Sequence, residues 1–283
     1  MVSLALASLF VWIVYRVNVE VHYKWNWGIL PQYLIRFDHQ RAEWMWGLIM
    51  QGVFTTLRLS IWATILAMIF GTIMGLFRVS HGLFNRLISW SYVELIRNIP
   101  ILVWLFIFYY FISDQIIPIF GLDQLVTSET ENIRNLLAFL FASPTRLPAF
   151  LSGLLALAIY EGAYITEIIR AGIQSIEKEQ WEASSALGFT KWQQMRHVIF
   201  PQAIQRVLPP LAGQFISTIK DSAIVSVISV QELTFQGMEL MSATFLTFEV
   251  WITIMVLYLV LCLTCSLLVE RLEIYMKKGQ LQF

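Results

Sequence analysis

Charge is what this chain has least of. Asp, Glu, Lys and Arg make up 13% of its 283 residues, where soluble globular domains carry about 25%. Nineteen basic and nineteen acidic side chains cancel, so the basic excess that a nucleic-acid surface needs is missing. Cysteine is also scarce. Cys262 and Cys265 lie in one apolar run and share a helix face. No histidine or carboxylate pattern completes a redox or metal site around them, and they read as small packing residues. The four histidines, His22, His39, His81 and His197, are scattered, and no HExxH or GxSxG is present. Neither is a GxxxxGK[ST] loop, so any ATP must be hydrolysed by another chain. No catalytic residue and no metal ligand is expected here.

What the chain has is apolar length. The hydrophobic fraction is 58%, and runs of about twenty residues fit the thickness of a bilayer. Six spans are expected, at about 2–17, 52–77, 92–112, 150–169, 208–230 and 250–269. Basic residues cluster after the second span (Arg78, Arg86), after the fourth (Arg170, Lys178, Lys191, Arg196, Arg206) and in the tail (Arg271, Lys277, Lys278). Alternation puts all three on one side, which the Lys/Arg bias assigns to the cytoplasm together with both termini. The segment from Arg16 to Arg41, with four basic residues, runs against that bias. The first run has a rival reading as a signal peptide, but Ala5-Leu6-Ala7 comes too early for cleavage and no basic residue precedes it. A retained signal-anchor helix is expected. The chain then divides into residues 1–44, an N-terminal helix with an outer interfacial segment, and a membrane core over 45–283.

Several local patterns carry more than hydropathy. Tyr23, Trp25, Trp27, Tyr33, Trp44 and Trp46 crowd the outer boundary of the first two spans, where an aromatic belt with a short surface helix is expected. A docking surface for an outer partner is the alternative. Gly71 and Gly75 form a GxxxG that lets another helix approach closely. The long outer connection 113–147, with apolar patches at 116–122 and 136–141, reads as a surface helix dipping into the interface. Residues 177–201 are a polar interruption between apolar runs. Good helix formers from Glu177 to Leu187 include the small set Ala183, Ser184, Ser185 and Ala186. Gly188 stands where a helix stop places glycine, and Thr190 with Gln193 makes a capping box. A second helix to Phe200 is expected to halt at Pro201. Physics leaves two readings open: an amphipathic loop, or a socket for a partner.

The spacing of this loop is similar to a known pattern. Glu182-Ala183-Ser184, Gly188, then Val198-Ile199-Phe200-Pro201 resembles the EAA motif of ABC-importer permeases, with mild departures at Ser184, Val198 and Phe200. Gly52–Ser60, Tyr92-Val-Glu-Leu-Ile-Arg-Asn-Ile-Pro100, Ala163–Gln174 and Lys220-Asp-Ser-Ala-Ile224 resemble further segments of the polar amino-acid branch, the histidine/glutamate/glutamine/arginine type. The resemblance covers about 45–270. Glu177 stands where many relatives have proline. It implies an all-α type I importer domain of about six transmembrane helices, five core helices plus an N-terminal one, with a cytoplasmic coupling helix. It further implies docking of a cytoplasmic ABC ATPase dimer through Glu182, Ala183, Ser184, Ala186, Leu187, Gly188 and Pro201. The implied partners are a second permease subunit, homologous or identical, and a periplasmic amino-acid-binding protein. ATP and magnesium would sit on the ATPase, and no cofactor on this chain.

Intramembrane charges are costly and tend to face protein or water. Glu161 and Tyr164 share a helix face and either line a cavity or, for Glu161, pair with Lys220 or Arg97. Glu94 with Arg97, and Glu167 with Arg170, have the spacing of local pairs. Arg97, Asn98, Lys220, Asp221 and Ser222 complete the candidate pathway, in which both signs of charge suit a zwitterion. The segments Trp25–Ile29 and Arg97–Pro100 look most like permeases for glutamate and aspartate or for a broad range of L-amino acids. A permease for another small polar solute, a secondary transporter and a membrane-embedded enzyme are the alternatives. The second of these typically shows an internal repeat, and none is evident.

Overall fold

The computed structural model describes residues 5, 8, 9, 11, 12, 15, 16, 23–39, 42–111 and 131–280. The expected first span falls mostly outside the described residues, as does the apolar patch at 116–122. Helices α1 (Leu48–Val79), α2 (Leu83–Arg97), α3 (Ile101–Phe108), α4 (Glu131–Leu140), α5 (Leu147–Gln174), α6 (Lys178–Ala186), α7 (Lys191–Gln194), α8 (Phe200–Asp221), α9 (Leu233–Thr244) and α10 (Thr247–Gln280) follow one another. Among the described residues four helical segments are long and apolar enough to cross a bilayer. The bent pair α2–α3 makes a fifth.

The bundle is organised around α5, whose buried residues run from Leu147 to Ile173. Its main partner is α1, which presents Gly52, Thr56, Ser60, Ala63, Ala67, Gly71 and Gly75 as one buried row three or four residues apart. Small side chains at that period let two backbones approach closely, the expected role of the GxxxG. A Cβ on Gly71 would stand 2.6 Å from Ile165 Cγ2, and one on Gly75 2.7 Å from Ile169. α2 closes on the same place: the Tyr92 hydroxyl donates to the Ile159 carbonyl at 2.7 Å and lies over Gly162.

The third expected span is not one helix. α2 ends at Arg97, and the chain turns by 102° into a helical stretch reaching Phe111. Pro100 has no N–H and disfavours helix in the residue before it. The Asn98 side-chain amide closes α2 on the Glu94 carbonyl at 2.8 Å, and Pro100 caps the new start. Pro201 does not stop a helix either. It sits in the first turn of α8, directly after a π-helical turn, Met195–Ile199. A helical proline clashes with the carbonyl four residues back, here that of His197, and the wide turn makes room. The fifth span therefore begins in the polar loop itself, at Lys191, and runs through Pro209 and Pro210, ending in a 3-10 stretch, Ser222–Ile228.

At the opposite end, the aromatic segment holds a 3-10 turn, Trp27–Ile29, and one short α-helical turn, Pro31–Leu34, followed by a hairpin that was not expected. Strands β1 (Ile35–Asp38) and β2 (Glu43–Trp46) pair antiparallel, with Ile35 opposite Trp46 and Phe37 opposite Trp44. The Tyr23 hydroxyl and the Asn26 N–H, the latter at 2.7 Å, donate to Glu249 at the start of α10. α4 is tied down by Arg58, which donates to the Ala138 carbonyl at 2.6 Å.

Between the spans α8 and α10, Glu232 is fully buried as the N-cap of α9. Its carboxyl accepts from the N–H groups of Thr234 (2.9 Å) and Phe235 (2.7 Å), from Tyr258 (2.8 Å) and from Thr56 (3.4 Å). Thr56 in turn accepts from the Leu233 N–H at 3.1 Å. Burial outweighs these bonds and pushes the carboxyl up to about 7. A carboxyl raised on folding contributes stability that is full below its unfolded value of 4.5 and is lost as pH rises through about 7. The thermal midpoint of the detergent-solubilised chain is therefore expected to fall between about pH 5 and about pH 8. Glu232→Gln, which cannot ionise, should flatten that slope, and a slope equal to wild type would refute the assignment.

Candidate functional site

The first candidate is the loop between α5 and α8. α6 ends in a Schellman arrangement: the Phe189 N–H donates to the Ser184 carbonyl (3.2 Å) and the Gly188 N–H to that of Ser185 (3.0 Å). Gly188 has φ +78°, the left-handed conformation this closure requires. The capping box forms as spaced: Thr190 accepts from the Gln193 N–H, and the Gln193 carboxamide oxygen accepts from the Thr190 N–H at 2.9 Å. Gln194, buried under the turn, donates to Ser185 Oγ at 2.7 Å and to the Phe189 carbonyl at 3.3 Å. These bonds make the two helices one rigid piece.

That piece is fixed to the bundle at both ends. Trp181, Met195 and Val198 pack on a core cluster that includes Ile169 and Ile173 of α5, Ala203 and Val207 of α8, and Ile176 and Ile199 at the ends of those helices. Gln202 donates to Gln180 at 3.3 Å, and Arg206 to the Ser175 carbonyl. Outward it presents Glu182, Ala183, Ala186, Leu187 and Gly188, with Leu187 75% and Trp192 70% exposed. Ser184, grouped by sequence with the small docking residues, instead points inward, its hydroxyl on the Trp181 carbonyl at 2.9 Å. Helical periodicity separates it from Ala183 and Ala186.

The second candidate lies between α2, α5 and α8. Glu161 is fully buried, and one of its oxygens accepts from Gln214 on α8 while the other has no partner. Thr218 and Asp221 stand beside the same carboxyl. Neither Lys220 nor Arg97 reaches it: Lys220 is exposed, and the Arg97 guanidinium lies 4.9 Å from the centre of the Tyr164 ring. Glu94 pairs with Asn98 (3.0 Å) rather than with Arg97. Glu167 and Arg170 do pair, at 2.7 Å, and Arg78 approaches Glu167 at 3.6 Å. Ser222 is buried and bonded to the Ile219 carbonyl at 2.8 Å.

A cavity of about 490 Å³ opens below this cluster, lined among others by Arg97, Tyr164, Glu167, Arg170, Arg206 and Gln214. Sequence reasoning missed Arg170, Arg206 and Gln214 as lining residues. The signal was present. Arg206, Pro210, Gln214, Thr218 and Asp221 recur every three or four residues and mark one face of α8.

Comparison with known proteins places this architecture. The model of the binding-protein-dependent transport system inner membrane component family matches residues 67–278. The chain belongs to that family. It is thus a multi-pass inner-membrane component, and this permease chain has relatives of nearly its own extent. It is 36% identical to the probable glutamine ABC transporter permease protein GlnM of Bacillus subtilis, over 81% of this chain and 94% of the relative. The glutamate/aspartate import permease protein GltJ of Escherichia coli is 29% identical over 84% of this chain and 89% of its own length. The crystal structure of an amino acid ABC transporter with histidines superposes with a TM-score of 0.64 at 36% identity, covering 80% of this chain and 92% of that one.

Proposed function

We propose that this permease is one of two membrane subunits of an ATP-driven importer of polar L-amino acids, glutamine or the acidic pair being the best-supported class. The observation that carries this is the coupling loop: a surface of small residues and Leu187 on a helix pair locked to α5 and α8. Such a piece can enter a cleft on a cytoplasmic ATPase and pass its motion to the spans without absorbing it. ATP and magnesium belong to that partner, and a periplasmic binding protein delivers solute at the hairpin end. The second permease is a homologue or an identical copy. The relatives' substrates support the solute class. The cavity is consistent with it: Arg97, Arg170 and Arg206 suit carboxylates, while Glu167 and Gln214 offer acceptors for an ammonium group. Closure of the ATPase dimer would draw the two loops together and open the pathway outward, and hydrolysis would reopen it inward.

Co-expression with an ATPase and a second permease should yield a complex in which the ATPase co-purifies with this chain and is lost on deleting Glu182–Gly188. Proteoliposomes of that complex with its binding protein should take up labelled L-glutamine or L-glutamate only with ATP. Retention of the ATPase by the deletion variant, or ATP-independent uptake, would overturn the reading.

A further inference from the structure

A second cavity, of about 360 Å³, which shares Arg170 with the first, lies at the coupling-loop end of the bundle. Arg78 at the end of α1, Arg86 in α2 and Arg170 in α5 line it, with Leu83, Leu87 and Trp90. Glu167 is the one carboxylate that pairs with this trio among the described residues, taking Arg78 and Arg170. Arg86 is exposed and has no ion pair there. The site therefore holds a surplus of positive charge. α2 begins at its edge, at Leu83. No side chain caps that helix start, so its first-turn N–H groups add donors and the positive end of a helix dipole.

The surroundings say which anion this is built for. Leu83, Phe84, Leu87 and Trp90 are exposed and share one face of α2. The arginines thus sit at the end of an apolar strip with a tryptophan in it, the layout of a helix lying at a membrane boundary. A free phosphate would satisfy the guanidinium groups and leave the strip in water. A lipid satisfies both, its phosphate in the cavity and its acyl chains along Leu87 and Trp90. Basic pockets between spans on the cytoplasmic side are a recurring way to hold anionic lipid.

We infer that the cavity bounded by Arg78, Arg86 and Arg170 binds the phosphate headgroup of an anionic glycerophospholipid of the inner leaflet. The inference rests on the reading above in one respect, that the coupling-loop end faces the cytoplasm. The bound lipid has a mechanical consequence. The turn Ser80–Gly82 joins α1 to α2, and the Lys191 ammonium in α7 of the coupling loop lies 3.1 Å from His81 Nε2. A headgroup held at the start of α2 fixes that turn against the loop and stiffens the joint through which the push is delivered.

The test uses the assembled complex in nanodiscs containing equal amounts of phosphatidylcholine and phosphatidylglycerol, released for native mass spectrometry. Wild type is expected to retain phosphatidylglycerol over phosphatidylcholine by about tenfold or more, equivalent to about 1.4 kcal/mol. Arg86→Gln and Arg86→Glu are expected to remove that preference while the complex keeps its size-exclusion profile. Equal retention of both lipids by wild type, or an undiminished preference in Arg86→Gln, overturns the site. Displacement of the retained phosphatidylglycerol by millimolar inorganic phosphate also overturns it, since the cavity would then be a free-anion pocket. Uptake by the same complex separates this from the importer reading. A complex that transports without lipid preference defeats the lipid site alone, and one that retains the lipid but transports no amino acid defeats the importer reading alone.

Discussion

A Gly188→Trp permease is expected to insert, fold and reach the membrane in normal amounts, yet to lose transport-coupled ATP hydrolysis down to background. Space around Gly188 does not restrict it, because a Cβ there would meet no atom within 4 Å. Its conformation does. At φ +78° a residue with a Cβ costs about 1–2 kcal/mol, too little to unfold a domain whose stability is on the order of 5–15 kcal/mol. The strain is instead released locally, by opening the closure in which Gly188 and Phe189 donate to Ser185 and Ser184. That closure aims Leu187 and sets the angle between α6 and α7. The indole would also project from the surface that has to enter the partner. Asparagine tolerates the left-handed region, so Gly188→Asn should keep much of the coupling where Gly188→Trp keeps none. ATPase stimulation by loaded binding protein in proteoliposomes is the measurement. Wild-type stimulation in the tryptophan variant would falsify the assignment of this turn as the coupling element.

Gly71→Leu is expected to have the larger structural effect, with little or no monodisperse protein recovered from the membrane. At this crossing α1 and α5 are packed backbone to side chain: a Cβ on residue 71 would lie 2.6 Å from Ile165 Cγ2 and 2.8 Å from the Gly162 carbonyl. One obstacle is backbone, so a rotamer change at Ile165 does not relieve it. The helices must separate, which undoes the contacts of Ala67, Ile165 and Ile169 in the buried seam. Overpacking of a core typically costs about 1–3 kcal/mol, and forcing apart the main helix pair belongs at or above the top of that range. Gly71→Ala should show an intermediate loss. Fluorescence-detected size exclusion after solubilisation reports both. A leucine variant with a wild-type profile would mean that the α1–α5 seam is looser than the structure shows.

Features that depend on neighbours in the chain were legible. The four long spans were found because twenty apolar residues in a row have one stable use in a bilayer. Gly188, the Thr190–Gln193 capping box and the Glu167–Arg170 pair were found because each closes within six residues. The break at Asn98–Pro100 was locally signalled but hidden by hydropathy, which averages over a window and does not register direction. The hairpin was missed for a related reason. Ile35, Phe37, Trp44 and Trp46 alternate as strands do, but an aromatic-rich boundary segment reads equally well as an interfacial belt.

The sequence by itself determined that this chain lives in a bilayer, that it carries a polar helix–turn–helix between apolar runs and no phosphate-binding loop motif, and which family spacing that segment obeys. These follow from composition, from absent motifs and from contacts a few residues apart. Only the tertiary structure decided what the intramembrane charges do. Glu161 meets Gln214, 53 residues away, rather than Lys220 or Arg97, and Arg97 lies over Tyr164 rather than beside Glu94. Ser184 turned inward and Arg206 joined the cavity. In a bundle of long helices the rotation of each helix about its axis sets which side chains meet. That rotation is fixed by distant packing, above all by the glycine seam of α1 against α5, and not by local spacing.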